Sequence, residues 1–195
     1  MTPAIGGSRA PRPRPHDRIV AAAIRLFLEE GIQAVGVARI VQEAEVAPMT
    51  MYRHFGGKAG VVVASVEQWS AWRFGWLRDW LDRCGDDPEV RFAALWEALE
   101  TRPDAEEPGG SLVAIAAVEL RRVPGHPAWK AITEHRMAMR QLLEDLVKPL
   151  DPDGVSDLPA RLHLLVEGVE TAAVAGVPLG AQDLRAIADS VRRTP

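Results

Sequence analysis

The chain has one cysteine, no long apolar run and no stretch of alternating apolar and polar residues. Cys84 alone cannot form an internal disulfide, which is typical of a protein from a reducing compartment. The alternative, a redox sensor, is not favoured because no local cluster of basic residues surrounds it in the sequence. The longest apolar stretches, residues 112–118 and 169–177, are too short or too interrupted by charge to cross a bilayer. The N-terminus also lacks the apolar core of a signal peptide, so we expect a cytoplasmic protein.

The sequence also lacks the motifs by which many enzymes are recognised. It contains no Gly-rich phosphate loop, no nucleophile elbow, no paired-cysteine metal motif and no HExxH. We therefore expect no catalytic residues and no cofactor. His163 and Glu167 have the spacing of two metal ligands on a helix, but a third ligand is not fixed by the sequence. A hydrogen-bonded structural pair is the favoured interpretation, and no metal site is predicted.

The composition describes a globular chain whose charge is unevenly distributed. Of the 195 residues, 47% are apolar, enough for a core, and 26% are charged. Residues 1–62 hold eight basic and five acidic residues, a net charge of +3, whereas residues 63–195 carry −7. A local basic region is what a DNA-binding protein needs, since phosphate contacts dominate its affinity. The excess is small enough to arise by chance, so it supports DNA binding without deciding it.

Helical periodicity runs through the chain from His16 onwards. Residues 1–15 are rich in Pro and Arg and predict a disordered basic arm, either a DNA contact or a plain tail. Three helices lie in a small head, residues 16–62. Six more make up a larger body, residues 63–195, and the first of these six begins before the boundary, at Lys58, so the prediction is an all-α protein. The predicted helices of the body are Lys58 to Arg83, Asp86 to Arg102, Ser111 to Val123, Ala128 to Val147, Leu158 to Ala175 and Ala181 to Val191.

The segment between Val35 and Phe55 has the pattern of a helix-turn-helix. Ala38 to Ala44 would brace against the DNA backbone, and Pro48 to His54 would enter the major groove. Lys58 begins the next helix, where its charge and the free N–H groups both favour a phosphate. A plain helical hairpin with a core Tyr and Phe is the alternative. The predicted DNA-binding residues are Met49, Thr50, Tyr52, Arg53, His54 and Lys58.

At these positions the chain resembles the tetracycline-repressor (TetR) family. The resemblance implies a homodimer in which each protomer has a three-helix DNA-binding head and a six-helix body that binds a small ligand. It covers residues 19–61 closely, and the body only in its helix count and lengths. The matching residues are Ala23-x-x-Leu26-Phe27-x-x-x-Gly31, Val37-x-x-Ile40-Val41-x-x-Ala44-x-Val46 and Thr50-Met51-Tyr52-Arg53-His54-Phe55-x-x-Lys58.

Three positions of the motif depart from the family pattern. The family places Gly in the turn and Ser or Thr at the cap before the recognition helix, where this chain has Glu45 and Ala47. A non-Gly residue at positive φ costs about 1 kcal/mol, and a missing cap costs about the same. Val35 or Gly36 replaces the Thr that usually starts the bracing helix, so a phosphate contact is expected to be absent there.

The body is predicted to bind a small apolar or aromatic effector. Four of the six tryptophans, at 69, 72, 76 and 80, are spaced to form one stripe along the long helix. Such a stripe lines a pocket or packs in the core, and core packing is favoured for most of it. Glu119, His135, His163, Glu167 and Glu170 are polar residues on otherwise apolar helix faces. The predicted ligand-binding residues are Trp69, Trp72, Trp76, Trp96, Glu119, His135 and Glu167.

The last two helices, at about 158–175 and 181–191, are predicted to form the homodimer interface. They carry apolar residues together with small ones such as Ala172 and Gly176, which permit close helix approach. The partners expected are thus a palindromic double-stranded DNA operator, a small-molecule effector and a second copy of the chain, with no membrane. The predicted function is a ligand-responsive transcriptional regulator, with a repressor favoured and an activator left open. The alternative is a helical interaction or small-molecule-binding protein without DNA-binding activity.

Overall fold

A computed structural model describes residues 13–101, 110–151, 157–177 and 180–193. These residues contain nine α-helices and no strand, which confirms the predicted all-α fold. The predicted bounds of α4 and α7 match the observed ones. Residues 1–12 of the predicted basic arm lie outside the described residues. The helices are α1 (Pro15–Glu30), α2 (Val37–Glu43), α3 (Pro48–Phe55), α4 (Lys58–Arg83), α5 (Pro88–Glu100), α6 (Leu112–Glu119), α7 (Ala128–Val147), α8 (Leu158–Val174) and α9 (Ala181–Arg193).

The first three helices form the head. α1 begins at Pro15, whose fixed φ and missing N–H suit the first helical turn, and it stops at Gly31, where φ is +86°. With 16 residues, α1 is not as short as α2 and α3. The apolar sides of the three helices meet in a shared core made of Ile19, Ala23, Leu26, Phe27, Ile40, Ala44 and Met51.

The head does not have a core of its own. The apolar cluster around Phe27 continues into Val62 and Val66 of α4, Leu112 of α6 and Ile132 of α7. The domain boundary predicted after residue 62 therefore falls inside one continuous apolar cluster. The second half of α4, from Phe74 onwards, belongs to a second apolar cluster. This cluster also includes α5, α8, α9 and the C-terminal part of α7. α4 and α6 therefore contribute residues to the apolar cluster that supports the head.

The tryptophans of α4 do not form the single stripe that their spacing suggested. Trp69 is buried, Trp76 and Trp80 are half-buried, and Trp72 is 45% exposed. The reason is that α4 changes neighbours along its length. Its first half packs against the head and α6, and its second half packs against α5 and α7. Different sides of α4 are therefore buried in its two halves. Beyond Trp69 the buried residues of α4 are Arg73, Phe74, Leu77 and Leu81.

Two details of the predicted body helices were wrong. Helical spacing predicts that Val90 points inward on α5 together with Ala94, Leu95 and Leu99, but Val90 is 47% exposed. α6 ends at Glu119 instead of continuing to Val123, because the backbone N–H of Val123 donates to the carbonyl of Leu120 in a tight turn. Among the described residues, no helix is both long enough and apolar enough to span a membrane.

Candidate DNA-binding and effector sites

The turn before α3 adopts the strained backbone that its sequence predicted. Glu45 has a φ of +51°, and it is the sole non-glycine residue with positive φ in the part of the chain that the structure describes. Ala47 precedes α3 and makes no capping hydrogen bond with its side chain. Gly36 likewise leaves α2 without a side-chain cap. Glu45 and Ala47 thus have the positive φ and the missing side-chain cap that the departures from the family pattern predict.

Arg18 braces this turn, a role that the sequence did not reveal. Its guanidinium donates hydrogen bonds to the carbonyl oxygens of Ala44 and Glu45, and it lies 4.0 Å from the Glu45 carboxylate. The Arg18 side chain is only 17% exposed. Hydrogen bonds from a charged donor are stronger than neutral ones, so Arg18 offsets part of the cost of the strained turn. Nothing in the local sequence pattern links a residue of α1 to a turn 26 positions later.

α3 presents an exposed surface that holds most of the predicted DNA-binding residues. Met49 is 75% exposed and Tyr52 is 48% exposed, and Arg53 and His54 are also on the surface. Thr50 is half-buried. Met51 is fully buried on the opposite side and anchors α3 in the head. α3 therefore separates an anchoring side from a side free to contact another molecule.

His54 packs at the end of α3 beside the start of α1. The ring of His16 stacks on Phe55 with centroids 4.9 Å apart, and it meets His54 edge-on at 6.0 Å. His16 also contacts the carboxylate of Asp17 through Nδ1, at 3.2 Å. These contacts fix the C-terminal end of the recognition helix against α1.

Lys58, the first residue of α4, is turned towards the loop between α1 and α2. Its ammonium group donates to the carbonyl oxygen of Gln33 at 3.4 Å, and the side chain is half-buried. Burial lowers the pKa of Lys58, while the nearby charge of Glu119 raises it and offsets part of that effect. The amino group thus stands at the junction of the head and the body rather than projecting freely from the surface.

The residues predicted to bind an effector are dispersed in the fold. Trp69 and His135 lie close together between α4 and α7, with their ring centres 5.7 Å apart. Trp76 lies further along α4, where its ring contacts that of Trp80 at 5.4 Å. Trp96 is fully buried and packs edge-on against Phe92 in the second apolar cluster.

The other three residues predicted to bind an effector are either exposed or paired with protein groups. Trp72 is on the surface, because α4 rotates its buried side at that point. Glu119 lies at the end of α6 and accepts a hydrogen bond from the backbone N–H of Gln33, 2.6 Å away, so it belongs to the junction with the head. Glu167 is partly exposed, and both of its oxygens bind the guanidinium of Arg136 at 2.9 Å. The described residues include no group of three His, Cys, Asp or Glu side chains that could hold a metal ion.

The body contains a polar cluster made of the buried residues Arg73, Ser111, His135 and Glu170 and the half-buried Ser70. His135 and Glu170 are 3% and 8% exposed, and His135 Nε2 lies 3.8 Å from Glu170 Oε1. Ser70 Oγ is 2.8 Å from His135 Nδ1, and Ser111 Oγ donates to Glu170 Oε2 at 2.9 Å. The sequence had singled out His135 and Glu170, while Ser70, Arg73 and Ser111 were missed because they come from helices far apart in the chain.

Electrostatics tie the members of this cluster together. Burial raises the pKa of Glu170, but the proximity of His135, the hydrogen bond from Ser111 and the charge of Arg73 outweigh it and hold that pKa below its ordinary value. Burial lowers the pKa of Arg73, whose guanidinium lies 4.9 Å from the ring centre of Trp76. The cluster is therefore a compensated pair of buried charges with hydrogen-bonding neighbours.

Comparisons with known proteins agree with this architecture. The family model for bacterial regulatory proteins of the tetR family matches residues 19–64. An uncharacterised HTH-type transcriptional regulator, YvkB from Bacillus subtilis (strain 168), is 30% identical over 71% of this chain and 68% of its own length. The HTH-type transcriptional repressor KstR2 from Mycolicibacterium smegmatis is 25% identical over 77% of this chain and 70% of its own.

A solved structure extends the similarity to nearly the whole chain. A TetR-family transcriptional regulator from Streptomyces coelicolor superposes with a TM-score of 0.77 at 25% identity, over 93% of this chain and 90% of that one. The matches are to regulators of transcription and not to enzymes. The helix-turn-helix and these relatives together show that the chain belongs to the TetR family of transcriptional regulators.

Proposed function

We propose that this regulator represses transcription by binding a palindromic operator as a homodimer and that a small effector releases it. The exposed side of α3 is the observation that carries the DNA-binding part of this proposal. Met49, Tyr52, Arg53 and His54 lie on the surface there, while Met51 anchors the helix in the head. Arg53 suits a guanine or a phosphate, and the Tyr52 hydroxyl suits a phosphate. A repressor is favoured because the relative KstR2 carries that role in its name.

Thr50 and Lys58 are expected to contribute less to DNA binding, because Thr50 is partly buried and Lys58 already contacts other protein groups. Thr50 is half-buried, so its hydroxyl reaches DNA from the edge of the surface. Lys58 approaches a phosphate only if its ammonium group leaves the Gln33 carbonyl and the neighbourhood of Glu119. Its contribution to DNA affinity should therefore depend on how the head sits on the body.

Dimerisation through α8 and α9 is supported by an apolar surface that a monomer leaves in water. Leu164 is 76% exposed, and Val174, Val177 and Ile187 are between 42% and 51% exposed. Gly168, exposed one helical turn after Leu164, permits close approach of a second helix. Such surfaces on soluble proteins usually mark a protein interface.

Release by an effector follows from the continuity of α4. This helix runs from the junction with the head at Lys58 to Arg83 and passes the polar cluster at Ser70 and Arg73. A molecule bound between α4, α7 and α8 would shift α4 and change the separation of the two recognition helices, which must match successive major grooves about 34 Å apart. A protein with this function would act in the cytoplasm.

The proposal is tested by selecting DNA that the purified protein retains, from its own upstream region and from a random duplex library. We expect saturable binding of a palindromic sequence, weakened by salt and reduced at least about tenfold by Arg53→Ala. Arg140→Ala, which removes an exposed charge from α7, is the matched control and should leave binding unchanged. If no DNA is retained at low salt, the protein is a helical interaction or small-molecule-binding protein instead.

A further inference from the structure

One oxygen atom of the polar cluster is left without a hydrogen bond. Glu170 is 8% exposed, and its Oε2 accepts from Ser111, but its Oε1 is buried and has no hydrogen-bond partner. A buried carboxylate oxygen without a partner is costly, so such atoms call for an explanation. A bound molecule that donates a hydrogen bond would supply one.

The imidazole of His135, which lies beside this oxygen, limits which chemical group could donate to it. When Ser70 donates to His135 Nδ1, the remaining proton of the imidazole sits on Nε2, which lies 3.8 Å from Glu170 Oε1. That separation is too long for a direct hydrogen bond, but one atom placed beside both can bond to each. A hydroxyl group fits this place because it donates to the carboxylate and accepts from the imidazole at the same time.

The charges around the site favour an uncharged ligand. The carboxylate of Glu170 is already balanced by the nearby guanidinium of Arg73, so an ammonium group would be repelled by Arg73 and a carboxylate by Glu170. Aromatic rings complete the surroundings. Phe74 and Trp69 lie 4.9 and 5.7 Å from the His135 ring, and Trp76 stacks beneath Arg73.

We propose that Glu170 Oε1 and His135 Nε2 together receive the hydroxyl group of an uncharged, hydroxylated aromatic effector. The inference rests on the proposed function, in which the body binds the molecule that releases DNA. The effector expected from this inference is not purely apolar, because it carries a single polar group that is recognised inside the body. Ser111 connects this site to α6. Its hydroxyl donates to Glu170 and also accepts a hydrogen bond from the backbone N–H of Ala114 in the first turn of α6.

A matched series of bicyclic compounds tests the proposal on the full-length protein by calorimetry in the absence of DNA. The series is 2-naphthol, naphthalene, 2-naphthoate and 2-naphthylmethylammonium, which share one ring system and differ in the polar group. We expect 2-naphthol to bind at least about tenfold more tightly than each of the other three, which corresponds to one good hydrogen bond. Equal binding of naphthalene, a preference for either charged compound, or no binding of 2-naphthol at about 1 mM would overturn the proposal.

Variants of the cluster separate recognition from folding. Glu170→Gln should remove the preference for 2-naphthol over naphthalene, whereas Glu167→Gln, one turn earlier and bound to Arg136, should keep it. If Glu170→Gln does not fold, Ser70→Ala keeps the Glu170–Arg73 pair, frees the His135 tautomer and should reduce the preference several-fold. A preference unaffected by these variants would contradict the assignment. Failure of DNA retention would overturn the proposed function while leaving this ligand preference measurable.

Discussion

The carboxylate of Glu119 accepts a hydrogen bond from the backbone N–H of Gln33, 2.6 Å away, and so joins the end of α6 to the loop between α1 and α2. Glu119 Oε1 also lies directly over Gly31, 2.5 Å from the position that a Cβ atom would occupy there. Lys58 donates to the carbonyl oxygen of the same Gln33. The contact between the head and α6 is therefore polar and specific, in addition to the apolar cluster that the two share.

Gly31→Ala should destabilise the protein more than Gly56→Ala. Both glycines have positive φ at the end of a helix, but a Cβ at Gly31 meets the Glu119 carboxylate, whereas one at Gly56 meets open space. We expect losses of about 2 kcal/mol at Gly31 and about 1 kcal/mol at Gly56 in the free energy of unfolding, measured by denaturant titration. Adding Glu119→Ala to Gly31→Ala should cost less than the sum of the two single losses. Strict additivity would show that Glu119 does not restrict Gly31.

Glu45→Gly should stabilise the head and strengthen DNA binding. Glycine adopts the φ of +51° at this position without the steric cost that a side chain carries. We expect a gain of about 1 kcal/mol in the free energy of unfolding and tighter retention of the selected duplex, since a negative charge near the phosphates is also removed. Glu45→Gln, which removes the charge but keeps the backbone strain, should tighten DNA binding without the gain in stability. A gain in stability of similar size in both variants would argue against relief of strain.

Leu164→Glu should dissociate the proposed homodimer. Leu164 is the most exposed of the large apolar residues on α8 and α9, and burying a charge without a partner at an interface is strongly unfavourable. We expect the dissociation constant of the dimer to rise about 100-fold or more, measured by light scattering across a dilution series, with the helical content unchanged. Met137→Glu is the control, since Met137 is 66% exposed on α7, outside the proposed interface. Dissociation by Met137→Glu alone would place the interface on α7 instead.

The stability of the protein should fall as the pH is lowered through 6.5, in part because of His163. Burial lowers the pKa of His163 below its ordinary value of 6.5, an effect larger than the opposing charge of Glu167. The unfolded chain therefore binds this proton more readily than the folded one, so acidification favours unfolding between 6.5 and the lower pKa of the folded state. Burial shifts His126 in the same direction. His163→Gln should flatten the pH dependence, and adding His126→Gln should flatten it further; an unchanged slope would refute the assignment.

The head shows how far local patterns reach. The spacing of apolar residues, Pro48 at a helix start, and Gly31 and Gly56 at helix ends predicted the three helices to within about two residues, because helix boundaries depend on nearby backbone groups. The strain at Glu45 was also predicted, since it follows from the residue type at a fixed place in the turn. The brace that Arg18 supplies was not, because it spans 26 positions of the chain.

The body shows where such patterns stop. The helical spacing of Trp69, Trp72 and Trp76 gave their relative positions on α4 but not which side of the helix is buried, which changes where α4 leaves the head and meets α5. Glu119 and Glu167 stood out as polar residues on apolar helices, yet both satisfy protein partners, Gln33 and Arg136.

The sequence by itself therefore determined the all-α class, the helix-turn-helix and its family, since these depend on short-range spacing and on residue types at fixed offsets. Only the tertiary structure decided that five polar residues on α4, α7 and α8 and just before α6 share one cluster: Ser70, Arg73, Ser111, His135 and Glu170. The physical reason is that packing fixes the rotation of each helix about its axis, and a rotation of a fraction of a turn moves a side chain from solvent to core. The sequence shows which polar residues are present, and the packing of the helices decides which of them contact one another.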